Sequence, residues 1–202
     1  MENKESIKLK GIHTISVCKA TSDDAHFLEQ KLDEFRLKRG FLMQYGLNTF
    51  ERMKALWDEY NYYLGLLHKK YLVNQVVVEN ITCTVGRTVI AQRISGTNTY
   101  TLNVAYTALG SSSAAPAVGN TTLGTEVYRK ALSSGTNSTT TALVETFFTA
   151  TETSGTYEEF AMFIDGTAAA NSGQLLNRFT TSITKAVTET LNVQSSLAVA
   201  DA

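Results

Sequence analysis

Four glutamates in the second half of the chain, Glu145, Glu152, Glu158 and Glu159, carry the side chains a general acid–base pair would need. A glycosidase pair also requires a cleft and aromatics to stack the sugar, and glutamates beside β-turns are more often simply solvated. The segment FIDGTAAANSG offers Asp165 and Asn171 as oxygen donors, yet it lacks the closely spaced Asp/Asn ligands of a calcium loop. VGRT and ALGSSS are glycine-containing turns without the GK[ST] ending that holds a nucleotide phosphate. His13, His26 and His68 all precede residue 75, so a Ser-His-Asp or histidine–metal site in the rest of the chain requires one of them to fold back. His68, beside Lys69 and Lys70, suits the carboxyl end of a helix, and His26 the solvated start of one. No catalytic, cofactor or metal set emerges, and the expectation is a protein that is not an enzyme and needs no cofactor.

Cys18 and Cys83 stand alone in apolar stretches and read as buried thiols, a disulfide being disfavoured in a reducing cytosol. The sequons at Asn80, Asn120 and Asn137 are expected by chance in a chain this rich in Asn and Thr.

Composition shifts near residue 75, from charged and aromatic to Thr, Ser, Ala, Gly and Val, which suit the pleated surface of strands. Ile7, Leu9, Ile15 and Val17 share one parity and predict a strand from Ile7 to Cys18, interrupted at Gly11-Ile12. Thr21-Ser22-Asp23-Asp24 then caps a helix carrying Leu28, Leu32 and Phe35, which runs to about Arg39 and is closed by Gly40.

A longer helix is expected from about Leu47 to Leu72. Phe50, Met53, Trp57, Tyr60, Leu64, Leu67 and Tyr71 form a heptad seam along it, widened on one flank by Leu56 and Tyr63. Two uses of the seam are compatible: packing on the first helix as a hairpin, and docking on a partner.

Beyond the helices the expected order is a strand in YLVNQVVVENITCTV, then a short helix in VGRTVIAQRISG with Val85, Val89, Ile90 and Ile94 on one face. A strand follows around Leu102, Val104 and Tyr106, then an exposed loop holding Pro116, and an ambiguous element from Thr121 to Arg129. SSGTNSTTT reads as a loop tip, TALVETFFTAT as a core strand, and TYEEFAMFIDGT as a strand ending in a tight turn at Asp165-Gly166. QLLNRFTTSITKAV and TETLNVQSSLAV give two more strands, with SSLAVADA fraying at its end. The fold class expected is α+β: an antiparallel β-sandwich or barrel-like domain (1–20 and 71–202) with an α-helical hairpin (21–70) inserted near the amino terminus.

A net charge of −1 and a pI near 6.3 give no basis for binding nucleic acid or an anionic membrane. No apolar run is long enough to span a bilayer, and MENKESIKLKG has no signal-peptide core, so synthesis in a cytoplasm is expected.

The segments ENITCTVGRTVIAQRISG, AYTALGSSSAAPAVGNTTLGTEVYRKAL, FFTATETSGTYEEFAMFIDG and SGQLLNRF occur in an order that resembles minor structural proteins of tailed bacteriophages, including the attachment domains of tail-collar and tail-fibre proteins. The correspondence falls on Ala108-Leu109-Gly110, Pro116, Thr122-Leu123, Glu126-Val127-Tyr128-Arg129 and Gly155 to Asp165, within Asn80 to Ser182. This resemblance implies a virion component of tail-fibre, collar or neck type, made in the host bacterial cytoplasm. It would assemble with other phage virion proteins as a homo-oligomer, a trimer being the usual fibre symmetry. It also implies that the first strand pairs with the strand before VGRT, the helices taking the place of the hairpin tip. The alternatives are a receptor- or glycan-binding module, using the loops at Ser111–Asn120 and Ser133–Thr141, and a capsid decoration protein.

Overall fold

Inward-facing residues of a single parity build the first strand, β1 (Ile7–Lys19): Gly11, His13, Ile15 and Val17 are all buried. The expected interruption at Gly11-Ile12 does not occur. Gly11 faces inward because a side chain there would collide with the Asn80 amide and the Leu197 methyl, so the missing Cβ lets the strand continue. The computed structural model of the chain describes residues 7–19, 31, 34–35, 38 and 49–201.

The chain divides into two compact units, Met1–Val17 with Asn74–Ala202, and Cys18–Val73. In the second lies helix α1 (Phe50–Tyr71), and residues 31, 34, 35 and 38 are also helical. Most of the helix expected from Thr21 to Arg39, with His26, lies outside the described residues.

The first unit holds a short helix, α2 (Thr84–Ile94), and strands β2 (Leu72–Glu79), β3 (Ile81–Thr82), β4 (Val104–Gly110), β5 (Glu126–Ala131), β6 (Ser134–Ser138), β7 (Thr141–Phe148), β8 (Gly155–Ile164), β9 (Gln174–Lys185) and β10 (Glu189–Asp201). They form two five-stranded sheets, in the orders β2-β1-β10-β7-β6 and β3-β9-β8-β4-β5. The pairings of β10 with β7, β8 with β9 and β4 with β8 are antiparallel, with Leu191 opposite Phe148, Phe160 opposite Phe179 and Ala108 opposite Ala161. The architecture is therefore sandwich-like. β2 neighbours β1, and the pairs Gln75–Ser16, Asn80–Gly11 and Thr82–Leu9 keep a constant sum of residue numbers, which is an antiparallel register.

At both sides of the sandwich one stretch of chain passes from one sheet to the other. It happens at Asn80, between β2 and β3, and at Leu132-Ser133, between β5 and β6. Such corners bring the sheets toward barrel closure. Between them lies a core of Ile15, Val17, Leu109, Phe148, Phe160, Phe179, Ile183, Leu191 and Val193. α2 lies on β9 at Gly86, where a Cβ would sit 2.7 Å from the Leu176 Cα.

Several local expectations change. Ile94 is exposed at 82%, so α2 buries Val89 and Gly86 but not its last turn. β4 and β8 are buried on both faces over most of their length, the outer face of their sheet being covered by loops. The ambiguous element around Glu126 is strand, and half of the SSGTNSTTT loop is the exposed edge strand β6. Asp165-Gly166 is not a two-residue hairpin turn: residues 165–173 form the connection, and the Asp165 carboxylate binds the Thr101 amide and hydroxyl. Cys83 is buried as expected, whereas Cys18 is only half-buried.

Candidate functional site

The residue types that could do chemistry are found engaged in holding the β unit together. Glu159, at 0% exposure on β8, accepts hydrogen bonds from the amides of Gly124 (2.9 Å) and Thr125 (2.7 Å) and from Arg178 Nε (2.9 Å). Arg178 on β9 reaches past it to the Ala114 carbonyl (2.8 Å) and Asn120 Oδ1 (3.0 Å). A buried pair of this kind is tolerable only because every remaining donor and acceptor is satisfied. The consequence is that the Pro116 loop is tied down at both ends by one ion pair.

A second buried pair does the same for residues 165–173. Glu126 accepts from Arg129 Nε at 2.5 Å and from the Asn171 amide at 2.9 Å. Arg129 Nη1 donates to the carbonyls of Thr167 and Ser172, and its guanidinium lies 4.5 Å from the Phe163 ring centroid. Of the two oxygen donors considered above, the Asp165 carboxylate is committed to Thr101, whereas Asn171 meets Glu126 through its backbone N–H. Among the described residues no cluster of three His, Cys, Asp or Glu side chains could hold a metal ion.

Lys185, buried at the end of β9, donates to the carbonyls of Thr153 (2.8 Å), Glu152 (3.0 Å) and Ala150 (3.2 Å). Burial lowers its pKa against the opposing fields of Glu189 and Glu152. The ammonium closes the turn before β8 much as a bound cation would.

His13 and Ser195 pair an imidazole with a hydroxyl in the manner of a base and a nucleophile, Nδ1 to Oγ being 2.7 Å. Both are buried, and the imidazole stacks on Phe179 with centroids 4.0 Å apart, so substrate has no approach. Burial pushes the His13 pKa down to about 4, the Asn80 side chain acting in the opposite direction. His13 Nε2 and both polar atoms of the Asn80 amide are buried without a hydrogen-bond partner among the described residues. His13 shares the parity of Ile15 and Val17, and the expected interruption at Gly11-Ile12 hid that signal.

The four glutamates do not converge. Glu145 on β7 binds Asn192 and Ser134, Glu152 pairs with Lys130, and Glu158 accepts from Ser182.

The helical unit contrasts with this. The buried stripe of α1 runs through Leu56 and Tyr71 with Tyr60 and Tyr63 half-buried, so Leu56 and Tyr63 are the inner side and not merely its flank. Phe35 is buried, with its ring 4.6 Å from Tyr60 and 6.3 Å from Trp57, and Lys38 lies 4.0 Å from Glu59. Trp57, at the edge of the seam, is 53% exposed. Tyr62 and Leu66, four residues apart on the opposite face, are exposed at 63% and 38%. Of the expected interaction residues, then, Trp57 is open, Tyr60 is half-buried and Tyr71 is buried and so not part of a free surface. The side chains of Phe50, Met53, Leu64, Leu67 and His68 lie outside the described residues. No helix among the described residues is long and apolar enough to cross a membrane.

Comparison with protein-family models, with curated proteins and with solved structures gives no significant match for this chain.

Proposed function

We propose that this chain is a non-enzymatic structural protein of a tailed-phage virion, of tail-fibre, collar or neck type, that assembles by docking on other virion proteins. The observation that carries the reading is the use made of its charged residues. The side chains of Glu159, Arg178, Glu126, Arg129 and Lys185 are buried and bonded to loop backbone, an arrangement that serves rigidity. The ordered motifs between Asn80 and Ser182 support the same assignment through their resemblance to phage attachment domains. On this reading α1 and the helical residues around Phe35 form a hairpin inserted between β1 and β2, with Trp57, Tyr62 and Leu66 available to neighbours. The protein self-associates and acts within the virion, without nucleic acid, membrane or cofactor.

Immunogold electron microscopy of particles from the phage that encodes the chain tests this. Label at a fixed position on the tail, collar or neck is the expected result, and label confined to the soluble fraction of the lysate overturns it. Label distributed over the head would favour the capsid-decoration alternative. The receptor- or glycan-binding alternative draws on the exposure of β6 and its turn, and predicts that soluble protein blocks adsorption to the host.

A further inference from the structure

Among the described residues four strands lie at the sheet edges, and three carry the usual protection against pairing with another chain. β3 has two residues. β5 is charged at Glu126, Arg129 and Lys130 and meets a register shift at Leu109/Gly110. β6 is a five-residue polar strand, SGTNS. β2 differs from all of them. Its sequence, LVNQVVVE, spans eight residues with no proline or lysine and one charge, at its last position, where Lys10 lies 3.1 Å from Glu79. Val73 and Val77 are exposed at 46% and 62%.

The register with β1 fixes which peptide groups face outward. Asn80 donates to the Gly11 carbonyl at 3.3 Å, and the Gln75–Ser16 and Thr82–Leu9 pairs hold the same register. Even-numbered residues of β2 therefore point their N–H and C=O groups at β1, and Val73, Gln75, Val77 and Glu79 point theirs at the open edge.

We propose that β2 is a self-association edge, pairing antiparallel with β2 of a second copy of this chain across a two-fold axis. Faces stay continuous only if opposed residues share parity. Among such registers, one centred on Val76 would set Val73 against Glu79. One centred on Gln75 instead sets Gln75 against Gln75 and Val73 against Val77 on the outer face, and Leu72 against Val78 on the inner face. Val73 then meets Val77 and Leu72 meets Val78, Val76 faces only the neutral Asn74, the two Glu79 carboxylates stay apart, and the ladder is made by the outward-pointing groups. The strand is complementary to itself in that register, which is what an isologous contact requires. Two sheets of five strands become one of ten. A two-fold contact yields dimers or even-numbered assemblies, in place of the threefold symmetry expected from fibres. The proposal does not rest on the virion assignment.

Gln75→Cys in a Cys18→Ser background places two thiols on the axis, where opposed Cα atoms of a hydrogen-bonded pair lie about 5.5 Å apart, within disulfide reach. Mild oxidation should give a covalent dimer, while Ile12→Cys, exposed on β1 of the same sheet, should not. Sedimentation velocity should show reversible dimers of the unmodified chain, weakened roughly tenfold or more by Val77→Lys, an edge charge that leaves the β1 ladder intact. Val77 is exposed, so circular dichroism should be unchanged. A chain that stays monomeric, a Gln75→Cys variant that does not cross-link, or an association undiminished by Val77→Lys overturns the proposal. Trp57→Asp should leave this dimer in place.

Discussion

The β unit and helix α1 treat their costly side chains in opposite ways. In the β unit, carboxylates, guanidinium groups and an ammonium are removed from water and bonded to backbone, while large apolar residues fill the space between the sheets. On α1, tryptophan and tyrosine remain in water while charged residues such as Lys54 and Asp58 form an ordinary exposed pair. The first arrangement specifies one loop geometry at high cost if any member is lost. The second contributes little to stability by itself and becomes favourable only when a neighbour covers it.

The contrast is tested most severely at Glu159. Glu159→Ala leaves Arg178 buried without its counter-ion, and a loss of about 3–5 kcal/mol in urea-measured stability is expected. Glu158→Ala, one residue along and accepting an exposed hydrogen bond from Ser182, should stay within about 0.5 kcal/mol. Equal effects would mean the Arg178 network is not holding the loop.

Acid should expose the second weak point. His13 is neutral in the folded state with a pKa near 4, against 6.5 when unfolded. Its contribution is complete above about pH 6.5, and falls as pH drops from there toward 4 because the unfolded chain takes up the proton first. It is then flat below 4. At roughly 1.4 kcal/mol per pH unit the loss totals about 3 kcal/mol, and His13→Gln should remove that part of the pH slope in denaturant titrations.

A smaller effect is expected where α2 meets β9. Gly86→Ala drives a methyl to 2.7 Å from the Leu176 Cα and 2.8 Å from its carbonyl oxygen, and thermal melts should show a loss of about 1–3 kcal/mol. Trp57→Asp should change stability least, within about 0.5 kcal/mol, while, on the proposed function, weakening partner binding measured by light scattering or pull-down of virion proteins. A large stability loss at Trp57 would dissolve the contrast and make α1 part of the core.

Legibility in the sequence followed the same division. Strands whose polar and apolar residues alternate, such as β1 and β10, and the heptad spacing of α1 could be placed because periodicity is a local property. The buried ions could not. Glu159 and Arg178 look like solvated strand residues until the loops that cover them are known, and those loops come from positions 114–125, far away in sequence. Asp165-Gly166 failed as a turn signal for the same reason: Arg129, a distant residue, holds residues 165–173 in a wider connection. β6 was hidden because an exposed edge strand of Ser, Gly, Thr and Asn has the composition of a loop. On α1 the heptad was visible, but which flank faced inward depended on Phe35.

The neighbouring positions of β1 and β10 have a consequence for how the molecule is made. His13 and Ser195 touch across 182 positions of chain, and β1 sits between β2 and β10 in its sheet. During synthesis β1 emerges well before β10 and must wait for all the chain between them before its second neighbour exists. Loop-closure entropy makes such pairing late and slow. Until then β1 keeps one unpaired edge in the nascent chain, which is the interval in which misassembly competes with folding.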